Sequence, residues 1–389
     1  MSSKLRLGID AFNISSGGGL THLKELIYAA NLAESDFETV YLWASENALN
    51  KIENQTWLIK MHDPLLNGNL FSRLYWHKFK STSSLMSAKC DIVFTPGGTC
   101  LSNFKPSVTM CRNMLPFEWA ELLRYGWSLK TLKFIQLRSS QRRSFEKVNG
   151  LIFLTEYAQK AVLKIINRPP QSLITIPHGV SSRFSQPLSR KRDFTFSDER
   201  PCRLIYVSDI SPYKHQWNVI EAIHKIKKLG FPVTLEIIGS PAEGMPKLEK
   251  ALKRCDPHRE FIFFDGAVQH SELHLSLAKA DIGIFASSCE NLPNILLEMM
   301  AAGLPIACSN MGPMPEVLGD AGEYFDPLSY EDIAVVIEKL ISSDKLRVEL
   351  SAKAIKRSSK LTWHQCASRT LEFLANVARN QREKRKKIV

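Results

Sequence analysis

Ser287-Ser-Cys-Glu-Asn-Leu-Pro-Asn-Ile-Leu-Leu-Glu-Met-Met-Ala-Ala-Gly-Leu-Pro305 is the stretch from which the rest of the chain is read. The apolar run before it reads as a buried strand ending near Ser287. Pro293 suits the first turn of a helix, where a missing N–H costs nothing. That turn has free N–H groups near Asn294 and Ile295, a ready site for an anion such as a diphosphate. Glu290 falls in the loop before the helix and Glu298 about one turn inside it. Two carboxylates flanking a phosphate site repel phosphate but suit the hydroxyls on either side of it, those of a ribose and of a sugar ring.

Working outward, the same strand, loop and helix alternation fills the chain. Leu5-Arg-Leu-Gly-Ile-Asp10 reads as a strand, Asn13-Ile-Ser-Ser-Gly-Gly-Gly19 as a loop, and 20–32 as an amphipathic helix. Further strands are expected at 39–43, 92–95, 108–111, 151–154 and 173–176, then at 204–207, 234–238, 261–264, 282–285 and 306–308. Helices are expected at 217–229, 246–254, 271–279, 295–302, 330–342 and 345–378. Such alternation implies parallel, doubly wound sheets. Residues 185–201 are polar, charged and bounded by proline, as a linker would be. The expected organisation is an acceptor-side domain at 1–184, the linker, a nucleotide-sugar domain at 202–378 whose last helix crosses back, and a basic tail at 379–389. Two open α/β sheets facing each other would bind ligand in the cleft beyond their carboxyl edges.

The 389 residues are 44% hydrophobic and 23% charged, which excludes disorder and coiled coil for the chain as a whole. No apolar run approaches a membrane span of about 18 residues, and the opening residues lack a signal-like core, so a cytoplasmic location is expected. Eight cysteines without a C-x-x-C pair read as reduced, buried thiols. His270-Ser-Glu-Leu-His274 places two histidines four apart but is not the H-E-x-x-H of metalloproteases, and reads as an exposed helix start. The formal charge of +12 is concentrated: 101–150 carry +6 and 351–389 carry +9, so the remainder is slightly acidic. That distribution disfavours a nucleic-acid coat. In 115–143, Phe117, Trp119, Leu122, Tyr125 and Trp127 alternate with Arg124, Lys130, Lys133 and Arg138, the composition of a helical element lying on an anionic membrane surface or of a core helix with one solvated face. The run 381–387 reads as a frayed, solvated tail.

Glu290-x7-Glu298 followed by Met-Met-Ala-Ala-Gly-Leu-Pro305 resembles the E-x7-E signature of the family 4 retaining glycosyltransferases, which have the GT-B fold of two Rossmann-like domains facing a cleft. Leu204-Ile-Tyr-Val-Ser-Asp-Ile-Ser-Pro-Tyr-Lys214 is similar to the family's strand and phosphate-binding loop. Leu235-Glu-Ile-Ile-Gly239, Phe264-Asp-Gly-Ala-Val268 and Gly312-Pro-Met-Pro-Glu-Val317 match its later segments. The first domain's resemblance rests on Gly17 to Gly19 and Thr175-Ile-Pro-His-Gly-Val180. The resemblance implies a hexosyltransferase of cell-surface polysaccharide biosynthesis, moving sugar from a nucleotide-sugar donor to a glycan acceptor, lipid-linked, on the inner face of the membrane. It implies ribose binding by Glu298, sugar binding by Glu290, diphosphate binding by Lys214 with the Asn294 and Ile295 amides, base binding by the backbone at Val268, and close approach of ligand at Gly17 and Gly18.

Two positions depart from the family. Many relatives carry an arginine six before the lysine position; Asp209, with Ser208 before it, stands nearby instead, and no basic residue replaces it at that spacing. Arg112-Asn113 stands where the first domain has a His-Asp pair, and Arg112, which cannot act as a base, could hold a phosphate or acceptor or merely cap a strand. In this family, retention is described as front-face attack in which the departing phosphate takes the acceptor proton, so positioning and charge stabilisation are the enzyme's share. No Asp-x-Asp motif is present, and activity without cofactor or metal is expected. A nucleotide-sugar epimerase or phosphorylase on the same fold, or a basic nucleic-acid-binding protein, stays open as an alternative.

Overall fold

The structure is a computed structural model and describes residues 4–15, 17–185 and 196–388. Among them, thirteen strands form two sheets in which every pairing is parallel. Leu5–Asp10 (β1), Phe37–Trp43 (β2), Leu58–Met61 (β3), Ile92–Thr95 (β4), Ser107–Met110 (β5), Gly150–Phe153 (β6) and Ser172–Thr175 (β7) lie in the order β3-β2-β1-β4-β5-β6-β7. Cys202–Val207 (β8), Val233–Ile238 (β9), Ile262–Phe264 (β10), Ile282–Phe285 (β11), Ile306–Ser309 (β12) and Glu323–Phe325 (β13) lie in the order β10-β9-β8-β11-β12-β13. A parallel sheet must be covered on both faces, so its central strands read as continuous apolar runs. Every residue of β4, β5, β6, β11 and β12 is buried accordingly.

By internal packing the chain divides into two units. The first comprises Met1–Phe117, Lys133–Gly179 and Thr362–Val389; the second comprises Glu118–Leu132 and Val180–Leu361. In each sheet the strand order reverses once, between β1 and β4 and between β8 and β11. Loops leaving the carboxyl ends of the two strands diverge at such a point and leave room for a ligand.

Several expectations are corrected. The helix expected at 345–378 is two, Asp344–Ser358 and Trp363–Ile388. The Ser343 hydroxyl caps the first, accepting from Leu346 N at 3.3 Å. The second continues through the run read as a frayed tail. The segment 115–143 is not one helix: Trp119–Leu123 and Leu129–Lys147 are separate, and Phe117 and Leu122 face inward. Most of the linker expected at 185–201 lies outside the described residues. All eight cysteines are free and buried. Among the described residues no helix is long and apolar enough to cross a membrane.

Candidate active site

The switch point of the second sheet brings two loops together. The loop after β8 carries Lys214 and leads into the helix Gln216–Lys228; the loop after β11 carries Glu290 and leads into the helix Asn294–Ala301. Lys214 Nζ makes an ion pair with Glu290 Oε1, and Lys214 is only 7% exposed. Burial alone would lower the lysine's pKa, but the charge of Glu290, with smaller help from Tyr206 and Asp209, outweighs it and raises the value. Lys214 therefore stays cationic. The Tyr206 hydroxyl donates to the Lys214 carbonyl, and Ser288 N donates to Tyr213 O at 2.9 Å, so the two loops are tied by backbone as well as by charge.

Pro293 is the N-cap of the following helix and offers no side-chain cap. Leu296 N and Leu297 N both return to Pro293 O, at 3.1 and 3.3 Å. The amides of Asn294 and Ile295, as first-turn groups, have no intrahelical acceptor. Asn294 Oδ1 is buried without a partner, as is Gln216 Oε1 at the start of the helix after β8. Such orphaned acceptors cost about 1–3 kcal/mol each and suit a ligand rich in hydroxyls. Glu298 is 6% exposed and joins a different set of groups. His270 Nε2 lies 2.7 Å from its Oε1, and Arg183 Nη2 lies 3.0 Å from His270 Nδ1. The H-x-E-x-H stretch thus does more than open an exposed helix. Val268 is 40% exposed in the turn after Gly266. The loops after β8 and β9 approach so closely that a Cβ at Gly239 would lie 1.7 Å from Ser208 O, which leaves glycine as the residue that fits.

A buried chain of hydrogen bonds, not foreseen from the sequence, supports the Glu290 loop. Ser288 Oγ lies 2.6 Å from Glu121 Oε2 and 2.9 Å from His215 Nε2. The single hydroxyl proton goes to the carboxylate, so His215 carries its proton on Nε2 and donates to Ser288. Burial, then the charges of Arg124 and Lys247, push the His215 imidazole down to about 3. His215 also sits in the left-handed region at φ 52°, where a residue with a Cβ needs outside support. Asp209 accepts from the Ser211 hydroxyl. Gln216 Nε2 donates to Ser208 Oγ at 2.7 Å and to Asp209 O at 2.9 Å, which closes the loop on itself.

In the first unit, Gly17 adopts φ +62° with open space beside it, a conformation that favours glycine. Arg112 Nη2 donates to Gly18 O at 2.6 Å and Nη1 to Gly19 O at 3.2 Å, so the sequence-expected residues Gly17, Gly18 and Arg112 do gather. Burial lowers the Arg112 value to about 10. Beside them, His22 lies with its ring centroid 4.7 Å from that of His178, the planes tilted by 54°, and meets Trp363 at 5.6 Å, and both its ring nitrogens are buried without partners. Burial holds both histidines well below the usual imidazole range, and the Arg112 cation adds to it. Among the described residues no three His, Cys, Asp or Glu side chains gather as a metal-binding group.

Comparison with known proteins matches residues 189–357 to the family described as Glycosyl transferases group 1. O-antigen chain mannosyltransferase B of Escherichia coli is 21% identical over 60% of this chain and 62% of its own. A GDP-mannose-dependent alpha-(1-6)-phosphatidylinositol monomannoside mannosyltransferase of Mycobacterium tuberculosis (strain CDC 1551 / Oshkosh) is 28% identical over 64% of this chain and 66% of its own. The chain thus spans less than two thirds of either relative. Sucrose-phosphate synthase of Thermosynechococcus elongatus superposes with a TM-score of 0.76 over 96% of this chain and 99% of its own, at 15% identity. The chain therefore has the GT-B fold and carries, over residues 189–357, a glycosyl transferases group 1 domain.

Proposed function

We propose that the protein is a retaining glycosyltransferase that moves a hexose from a nucleotide-sugar donor to a glycan acceptor, lipid-linked, in surface polysaccharide biosynthesis. The observation that carries this reading is the pairing of Lys214 with Glu290 across the switch point, beside an uncapped helix start. In the donor complex Lys214 turns from Glu290 to the diphosphate, joined by the Asn294 and Ile295 amides. Glu290 then accepts from hydroxyls of the transferred sugar, and Glu298 from those of the ribose. The backbone at Val268 meets the base. Gly17 and Gly18 admit ligand close to the backbone, and Arg112, held on their turn, offers a cation to a phosphate or an acceptor. As the bond from the anomeric carbon to the phosphate oxygen breaks, the acceptor oxygen bonds to that carbon on the same face. The acceptor proton leaves on the departing phosphate. Lys214 and the helix start stabilise the charge that develops on the leaving group, with no metal ion required.

The two relatives, both mannosyltransferases and one GDP-mannose-dependent with a phosphatidylinositol-linked acceptor, favour GDP-mannose as the first donor to try and support a lipid-linked acceptor. A peripheral position on the inner face of the membrane, with contact through 115–143, is supported by Leu123, Leu129 and Leu132, exposed by 59%, 78% and 59%, and by the wholly exposed Trp127. Product analysis tests the reading: labelled GDP-mannose, UDP-glucose or another donor should yield a lipid-extractable glycan only when acceptor is added, and equally in EDTA. An epimer formed from donor alone would instead establish the epimerase.

A further inference from the structure

A second exposed apolar surface lies outside both the site and 115–143. The run Leu70–Tyr75, Trp76–Lys80 and Ser81–Ser87 is continuously helical, with one wider turn in its middle. Its start is capped by Asn69, whose Oδ1 accepts from Ser72 N at 3.1 Å. Its inner face is fixed. Trp76 and Leu85 are buried in a cluster with Phe12, Trp43 and Leu66. His77 Nδ1 lies 2.5 Å from the buried Asp10 carboxylate while its Nε2 accepts from Leu101 N at 2.7 Å. The outer face is therefore presented by an anchored helix.

That outer face is aromatic. Phe71, Tyr75 and Phe79, four residues apart and so on one side of the helix, are 80%, 53% and 59% exposed, with Leu70 and Met86 beside them at 53% and 66%. The rings of Tyr75 and Phe79 stand 5.0 Å apart, and Lys78 Nζ lies 4.9 Å from the Phe79 centroid. No acidic residue occurs between Asp63 and Asp91, whereas Arg73, Lys78, Lys80 and Lys89 are cationic. None of these four takes part in an ion pair among the described residues. Anchored rings facing water, flanked by unpaired cations with long apolar stems, match a surface that is apolar a few ångströms down and negatively charged at its boundary.

We infer that the helical segment 70–87 is a contact surface for an anionic bilayer, with Phe71, Tyr75 and Phe79 entering the headgroup boundary and the exposed Lys78 and Lys80 meeting lipid phosphates. This deepens the membrane part of the proposed function and is independent of the donor site. Charge complementarity selects the occupant: a protein groove could cover the rings, but unpaired Lys78 and Lys80 beside them, in a stretch with no acidic residue from 64 to 90, call for a negatively charged surface.

The test is co-sedimentation of the full chain with vesicles of phosphatidylcholine and phosphatidylglycerol in equal parts, beside vesicles of phosphatidylcholine alone, at low salt. Wild type should sediment with the mixed vesicles and stay in solution with the neutral ones. Phe71→Ser with Phe79→Ser, and separately Lys78→Glu with Lys80→Glu, should each weaken binding by about tenfold or more, with unchanged circular dichroism and donor turnover on a water-soluble acceptor. Binding by both variants at the wild-type level would overturn the inference. If Trp127→Ser with Leu129→Ser alone abolishes binding, the inference fails and contact through 115–143 stands. Absence of any binding by wild type removes both. A dimer in solution that dissociates in the Phe71 and Phe79 variant would also overturn it, making the stripe a contact between copies.

Discussion

His270 and Glu298 are joined by a hydrogen bond of 2.7 Å whose direction follows from a third residue. Arg183 can only donate, so His270 Nδ1, 3.0 Å from its guanidinium, is the acceptor, and the ring proton resides on Nε2, directed at Glu298. One oxygen of Glu298 is thereby held in place.

Removing that support should affect donor binding before chemistry. His270→Ala is expected to raise the donor KM by about ten- to a hundredfold, the worth of one hydrogen bond to a charged group, with kcat within about twofold. His270→Gln, which keeps a donor, should recover much of the loss. Steady-state kinetics with varied donor separate these outcomes; a fall in kcat at unchanged KM would contradict the assignment.

Ser288 links Glu121, in the segment 118–132, to His215 and thereby steadies the loop bearing Glu290. Ser288→Ala leaves a buried carboxylate and a buried imidazole without their shared partner. Denaturant unfolding should show a loss of about 1–3 kcal/mol, and kcat should fall more than donor affinity. Unchanged stability and turnover would mean the network is incidental.

Acid should weaken the fold through its neutral histidines. An unfolded imidazole titrates near 6.5, whereas in the folded chain burial holds His215 at about 3 and keeps His22 and His178 well below the usual range. Between those values the unfolded chain binds protons that the folded chain refuses. Stability is thus full above pH 6.5 and falls as pH drops below it, by up to about 1.4 kcal/mol per pH unit for each imidazole. Urea midpoints measured from pH 7 to pH 5 should decline, and His22→Leu should flatten the decline. A midpoint rising toward pH 5 would contradict this account.

The central strands and the loop around Glu290 were legible because buried parallel strands read as apolar runs and Pro and Gly mark where they stop. The edge strands β3 and β13 escaped: β3 carries Lys60 and is only half-buried, and β13 has three residues. The helical run 70–87 escaped because both its faces are apolar, which erases the period that betrays an amphipathic helix. Spacing singles out Glu298 as a candidate, but its partner His270 lies 28 positions away, and the Ser288–Glu121 bond spans 167. Contacts of that reach follow from strand order, which local pattern does not encode. The same limit explains why the contact of Arg112 with Gly18 and Gly19 and the His22–His178 contact went unread.

Titration calorimetry of the full chain with GDP, UDP, ADP and dTDP tests the central claim most directly. Wild type should bind one of them with a dissociation constant of roughly 1–100 µM, and Lys214→Gln and Glu298→Gln, shown by thermal melts to be folded, should each bind it at least about tenfold more weakly. If no nucleoside diphosphate binds, or if both variants bind as tightly as wild type, the pairing of Lys214 with Glu290 and the placement of Glu298 do not form a donor site.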